Sequence, residues 1–182
     1  RPFLDHVEFE QTRRGLERHN LGGPKSGFYG ADNLLWFAGL AAHAAGIDDA
    51  RAQDFLTRGY DLNLQMFAHR REACGDDGGS ASPSLNYAMG AYPWSEFNFL
   101  HTVESALGED ISAAWPHIAY FVNYVIWNWL PGARTFGTAD DYHIDNALRL
   151  SHMSLHMAQT LHFYSASQPE CAALARWVLD RI

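Results

Sequence analysis

The sequence predicts an all-α fold of stacked antiparallel α-hairpins. Apolar residues recur at three- and four-residue spacing along most of the chain, and no segment of useful length alternates with a period of two. Short connections alternate with long polar ones, as expected when the loops of one face build a site. At 182 residues the chain has the size of one domain, so we expect a single helical domain over residues 1–182.

The first three helices are predicted from their end signals. The first covers roughly Leu4 to Arg18 and is followed by a loop rich in turn formers. The second begins near Asp32, a capping residue, and ends at Gly46. The third runs from Asp48 to about Arg71, and Gly59 is expected to weaken its middle.

The remaining four helices are predicted from apolar stripes. They cover about Ser84 to Leu107, Ile111 to Trp129, Asp145 to Tyr164 and Pro169 to Ile182. The helix from Ile111 is apolar almost all round, which predicts burial on most sides. Seven helices are therefore expected.

Composition excludes several classes of function. The net charge of −8 argues against general nucleic-acid binding, which needs a basic surface. No apolar run is long enough to span a membrane. Cys74 and Cys171 fit no metal or redox spacing and are expected to be unpaired or to form one optional disulfide. The start at Arg1, without Met or a signal peptide, suggests a piece of a longer protein.

Asn33 follows Asp32 at a predicted helix start. Either residue could simply cap the helix. An Asn amide beside the free N–H groups of a helix N-terminus is also suited to binding a carboxylate.

Tyr87 and Tyr92 leave a Gly- and Ser-rich loop, DGGSASPSLNYAMGAY, that is longer than a plain helix connection. The two rings could be packed aromatics. A tyrosine near a cation could instead transfer protons, and His69, Arg70 or Arg71 at the end of the preceding helix could supply that cation.

Two further clusters carry weaker signals. His152 and His156 lie four apart and could hold a metal, but no Glu lies between them as in hydrolytic metal motifs. Asp140, Asp141 and His143 could form an acid–base cluster or an exposed turn. We therefore expect neither a metal nor a cofactor.

Three stretches in this order resemble the helical domain of heparinase II/III-like polysaccharide lyases. They are FYGADNLLWFAGLAAHAAG, DGGSASPSLNYAMGAYPWSEFNFLHTVESALGED and WLPGARTFGTADD. The resemblance implies an incomplete α/α toroid, of which this chain would be a part without the usual β-sandwich, and a periplasmic or secreted location. It also implies cleavage of an anionic, uronate-containing polysaccharide by β-elimination.

Site roles follow from the same resemblance. Asn33 would hold the uronate carboxylate and Tyr87 would exchange protons. The family's histidine would be His143, His101 or a residue outside this piece. The family often carries a Glu where this chain has Ser82.

Substrate contacts complete the expected site. Aromatic rings would stack on sugars and arginines would attract anionic groups; these residues are Trp36, Tyr92, Trp94, Arg70 and Arg71.

Two other classes of function stay open. A toroidal glycoside hydrolase would use two carboxylates, drawn from Asp76, Asp77, Glu96, Asp140 and Asp141. A non-catalytic carbohydrate-binding domain would bind sugars without turnover.

Overall fold

Helices dominate the described part of the chain, as the periodicity predicts. The structure, a computed structural model, describes residues 2–13, 34–79, 92–127, 129–130, 134–135 and 147–182. For residues 12–13, 73, 92–95, 129–130, 134–135 and 147–152 it describes the backbone alone.

Seven α-helices lie within these ranges. They are α1 Pro2–Glu8, α2 Leu34–Ala44, α3 Asp49–Cys74, α4 Tyr92–Leu107, α5 His117–Trp127, α6 Ala147–Tyr164 and α7 Pro169–Leu179. A π-helical turn, Phe9–Arg13, follows α1, and a 3-10 turn, Ser112–Ala114, precedes α5. The all-α class is confirmed, and the arrangement of the hairpins as a toroid stays a prediction.

One helix starts later than the periodicity predicts. The expected start near Ile111 is replaced by the 3-10 turn, whose Ser112 N–H donates to Asp110 Oδ1 at 2.8 Å, and α5 begins only after Pro116. A proline inside a helix would remove a backbone donor and clash with the preceding turn, so the regular helix has to start beyond it.

A short antiparallel strand pair follows α5. Strand β1 is Trp129–Leu130 and β2 is Arg134–Thr135, with Trp129 opposite Thr135 and Leu130 opposite Arg134. Two residues per strand are too few to leave a readable alternation in the sequence. The pair adds a small element to an otherwise helical protein.

Backbone contacts divide the chain into two compact units, residues 1–69 and 70–182. The division falls inside α3, between His69 and Arg70. In the first unit, a core is formed by the buried residues Leu4, Val7, Leu35, Ala38, Ala42, Ala52, Phe55 and Leu62.

Gly59 decides how α2 and α3 pack in the first unit. A Cβ at Gly59 would lie 2.4 Å from the backbone nitrogen of Trp36 and 2.7 Å from its Cα. Asn63 in the next turn donates to the Gly59 carbonyl at 2.7 Å and is itself fully buried. The glycine expected to weaken α3 is therefore what lets the two backbones approach so closely.

In the second unit, α6 packs against α4, α5 and α7, and α7 also packs against α5. The end of α6 is fixed by two hydrogen bonds to the segment before α5. The Tyr164 hydroxyl donates to the Trp115 carbonyl at 3.0 Å, and the Ser112 hydroxyl donates to the Phe163 carbonyl at 3.1 Å.

Within the described residues, no helix combines the length and the apolar character needed to cross a membrane.

Candidate functional site

The candidate site is built around the residues that follow α3, Asp76 to Gly79, which we call the DGG turn. Gly75 ends α3 with a φ of +61°, the left-handed conformation in which glycine commonly terminates helices. The Asp77 carboxylate then accepts a hydrogen bond from the Gly79 N–H at 3.1 Å, a local turn typical of aspartate. Sequence-local chemistry therefore shapes the turn.

Gly78 docks this turn onto the backbone of α5. Its φ is +71°, and a Cβ there would lie 1.8 Å from the Tyr120 carbonyl oxygen and 2.7 Å from the Phe121 nitrogen. The Asn123 amide donates to the Asp76 carbonyl at 3.4 Å and adds a second contact to the same helix. Because the clashing atoms belong to a helix backbone, only glycine fits at position 78.

A buried charge cluster lies in the same unit. The Arg70 Nη1 atom is 3.1 Å from Glu96 Oε1, and His117 Nε2 is 3.6 Å from the same oxygen. The three residues are 1%, 6% and 4% exposed. They come from the end of α3, from α4 and from the first residue of α5. The cluster therefore connects α3, which precedes the DGG turn, to α4 and α5, which follow it in the chain.

The cluster keeps Glu96 ionised. Burial alone would raise the pKa of this carboxyl, but the charge of Arg70 and the neighbouring His117 outweigh burial, and the pKa falls below its ordinary value. The pKa of Cys74, which lies nearby, shifts in the opposite direction. Burial and then the negative charge of Glu96 raise its pKa to about 12, so its thiol stays protonated at neutral pH.

Burial corrects three sequence predictions. Arg70, expected to attract an anionic substrate, has its charge neutralised by Glu96 in the core. Glu96, a candidate acid of a glycoside hydrolase, is held as an ion-paired carboxylate. Trp36, expected to stack on a sugar, is 2% exposed and packs near Tyr60 with 6.0 Å between ring centroids.

Arg71, in contrast, is exposed. Its guanidinium carbon lies 5.3 Å from the centroid of the Trp115 ring, within the range of a cation–π contact. This placement is compatible with the prediction that Arg71 attracts anionic groups.

An open groove of about 440 Å³ lies beside the DGG turn. This volume is within the range of about 300–1,000 Å³ typical of small-molecule sites. Its lining combines two amides, a tyrosine, two carboxylates and apolar side chains, which are Asn123, Gln168, Tyr120, Asp76, Glu170, Pro169, Cys171 and Leu174. Amides, a hydroxyl and apolar surface suit sugar rings, whereas the two carboxylates disfavour a uronate at this position.

Several predicted site residues lie outside the described part of the chain. These are Asn33, Tyr87, His143, Ser82, Asp140 and Asp141. Tyr92 and Trp94 occupy the first turn of α4, where the backbone alone is described. Their predicted roles therefore stay predictions.

Of the two histidines in α6, His152 and His156, the structure describes the side chain of His156. His156 is 1% exposed, its ring lies 6.1 Å from Phe97 in a stacked arrangement and 5.9 Å from Phe121 edge-on. It packs within the aromatic core, and the side chain of His152 is outside the described residues.

Both cysteines are free thiols, which confirms the unpaired alternative.

No protein-family model matches the chain, and no characterised protein or solved structure matches it either. Assignment to a family is accordingly a proposal that depends on this chain's own residues.

Sequence reasoning missed the docking role of Gly78 and the cluster of Arg70, Glu96 and His117. The DGG motif itself was visible, but the contact of Gly78 with α5 involves residues more than forty positions later. The cluster left no signal, because a buried ion pair between separate helices has no sequence spacing of its own. Asn123 lies in the helix predicted to be apolar almost all round, yet it contacts the turn and lines the groove.

Proposed function

We propose that the chain is the helical part of a polysaccharide lyase that cleaves uronate-containing polymers by β-elimination. The observation that carries this proposal is the order of the motifs: the Asn33 helix start, the DGG segment leading to Tyr87, and the Pro-Gly loop before Asp141. The second motif also has a physical basis, since Gly78 is required where the DGG turn meets α5.

The chemistry needs three functions from the protein. Removing the proton beside a uronate carboxylate develops negative charge on that carboxylate, so a preorganised donor must stabilise it. A second group takes the proton, and a proton must reach the departing glycosidic oxygen. We assign the first function to Asn33 and the proton transfers to Tyr87 and His143.

The described residues support this assignment in two ways. The DGG turn is anchored by Gly78 and Asn123, so the segment that leads to Tyr87 leaves from a fixed point on α5. Arg71 is exposed beside Trp115 and is suited to attract an anionic polymer.

A glycoside hydrolase has less support among the described carboxylates. Glu96 is buried and ion-paired with Arg70, which prevents it from acting as a general acid. Asp77 is engaged by the Gly79 N–H at an exposed turn. A lyase does not need a pair of carboxylates, so the placements of Glu96 and Asp77 favour it. Its uronate would bind outside the groove beside the DGG turn, because the groove carboxylates Asp76 and Glu170 disfavour a uronate there.

The test is incubation of the purified protein with heparan sulfate, chondroitin sulfate, hyaluronan, alginate and ulvan. We expect ultraviolet absorbance from a new C=C bond with at least one polymer. Tyr87→Phe removes a proton-transfer group and should lower kcat by about 10²- to 10⁴-fold. Asn33→Ala should lower it by about 10²- to 10³-fold.

Tyr124→Phe is the matched control, because it removes a tyrosine hydroxyl from α5 and should leave turnover unchanged. Reducing sugar without the unsaturated product would replace the lyase with a hydrolase. Saturable binding without turnover, unaffected by Tyr87→Phe, would make the domain a non-catalytic binder. Either result refutes the proposal.

A further inference from the structure

Three metal-ligating side chains meet on the second unit, away from the DGG turn in sequence. His101 and Glu104 lie one turn apart on α4, and His162 comes from α6. Their ligand atoms all lie within 4.8 Å of one another, and His162 Nε2 is 3.1 Å from Glu104 Oε2. The proposed lyase assigns its histidine role to His143 and not to the alternative, His101, so a metal bound here would not depend on lyase activity.

The donor set has the composition of an open zinc site. Two imidazoles and one carboxylate bind Zn²⁺ at bond lengths of about 2.0–2.2 Å, with the fourth tetrahedral position left to water. Such bonds place ligand atoms about 3.4 Å apart around the ion. The pair formed by His162 and Glu104 is already near that separation, and His101 needs to move by no more than about 1.5 Å.

An apolar floor holds both imidazoles. The centroid of the buried Phe163 ring lies 4.6 Å from the ring centroid of His101 and 4.6 Å from that of His162. The centroids of the two imidazoles are 5.5 Å apart. Above this floor the ligands stay accessible, since the side chains of His162 and Glu104 are 52% and 41% exposed. A hydrated ion can therefore reach the site without local unfolding.

The local electrostatics favour a cation. Glu104 supplies a negative charge, and both Glu104 and His162 lie in the last turn of their helices, where the helix dipole attracts positive charge. A surface ion pair would require only Glu104 and His162. The convergence of His101 on the same two groups makes three ligands.

We propose that His101, Glu104 and His162 form a Zn²⁺ site that joins α4 to α6. One ion would bind per chain, with water completing its coordination. Because all three ligands lie on the second unit, binding would stabilise that unit through the packing of the two helices.

The experiment is calorimetric titration of chelator-treated, tag-free protein with zinc chloride. We expect saturable binding of one ion per chain and a rise in Tm on zinc addition. His162→Gln and Glu104→Gln should each weaken the affinity at least about tenfold, since changes around the ligands alone cost 10- to 100-fold. Each variant is compared by circular dichroism with the wild type.

His6→Gln is the matched control, because His6 is an exposed histidine paired with a single carboxylate, Glu10, at 3.9 Å. It should leave the zinc affinity unchanged. Equal losses in His6→Gln and His162→Gln, or no saturable binding by the wild type, would overturn the proposal. If His162→Gln fails to fold, the isosteric Glu104→Gln decides on the same criteria.

Discussion

Replacing Gly78 with alanine tests whether the DGG turn is docked on α5 as the structure describes. Two costs combine at this position. A left-handed φ of +71° costs a residue with a Cβ about 1–2 kcal/mol. The Cβ would also lie 1.8 Å from the Tyr120 carbonyl oxygen. Overpacking of this kind typically costs a further amount of about 1–3 kcal/mol.

Gly108→Ala separates the two costs. Gly108 follows α4 in the same unit with an almost identical φ of +72°, but nothing lies within 4 Å of its Cβ position. This control should lose about 1–2 kcal/mol of unfolding free energy from backbone conformation alone. Gly78→Ala should lose about 2–5 kcal/mol, because no side-chain rotation can move a helix backbone away.

The assay is urea unfolding followed by circular dichroism, with both variants compared at a common m-value. Equal midpoints for Gly78→Ala and Gly108→Ala would refute the docking contact, since backbone conformation alone would then explain both losses. If the turn also positions the segment leading to Tyr87, the Gly78 variant should lose turnover on a polymer that the wild type cleaves, and the Gly108 variant should keep it.

Two further substitutions probe the interior. Glu96→Gln removes the carboxylate that is ion-paired with the buried Arg70 and should cost about 3–5 kcal/mol in urea unfolding. Because the folded pKa of Glu96 is lowered, its contribution to the free energy of unfolding is complete above the ordinary glutamate pKa of about 4.3 and is lost as the pH falls through the lower folded value. The free energy of unfolding of Glu96→Gln should therefore fall less steeply in acid than that of the wild type. An unchanged acid profile would contradict the direction of the pKa shift. Gly59→Ala would stabilise an isolated helix by up to about 1 kcal/mol, yet contact with the α2 backbone should reverse the sign and lower the urea midpoint. A raised midpoint would show that the helices do not approach as closely as described.

Helix existence could be predicted from the sequence because each helix leaves a local apolar stripe. The end of α4 at Leu107, before Gly108, and the start of α7 at Pro169 are local signals of this kind, whereas α3 runs to Cys74, beyond the predicted end near Arg71. The start of α5 was predicted too early because apolar periodicity continues through Pro116, whose effect on the backbone overrides it.

The candidate site was less predictable because its determinants are pairs of residues far apart in the chain. Arg70 and Trp36 are residue types that often contact sugars or anions. Arg70 is instead buried in an ion pair with Glu96, and Trp36 is buried where α2 packs closely on α3. Likewise, the one-turn spacing of His101 and Glu104 is visible in the sequence, whereas their third partner, His162, lies 58 residues beyond Glu104. Local pattern supplies candidates, and only the fold decides which of them meet.

The buried cluster of Arg70, Glu96 and His117 also has a consequence for engineering. It fixes the end of α3 to α4, while Gly78 fixes the DGG turn to α5, so both boundaries of residues 80–91 are held by contacts outside that segment. Engineering of residues 80–91 therefore has to leave Arg70, Glu96, His117 and Gly78 unchanged, because these residues hold the two boundaries of the segment.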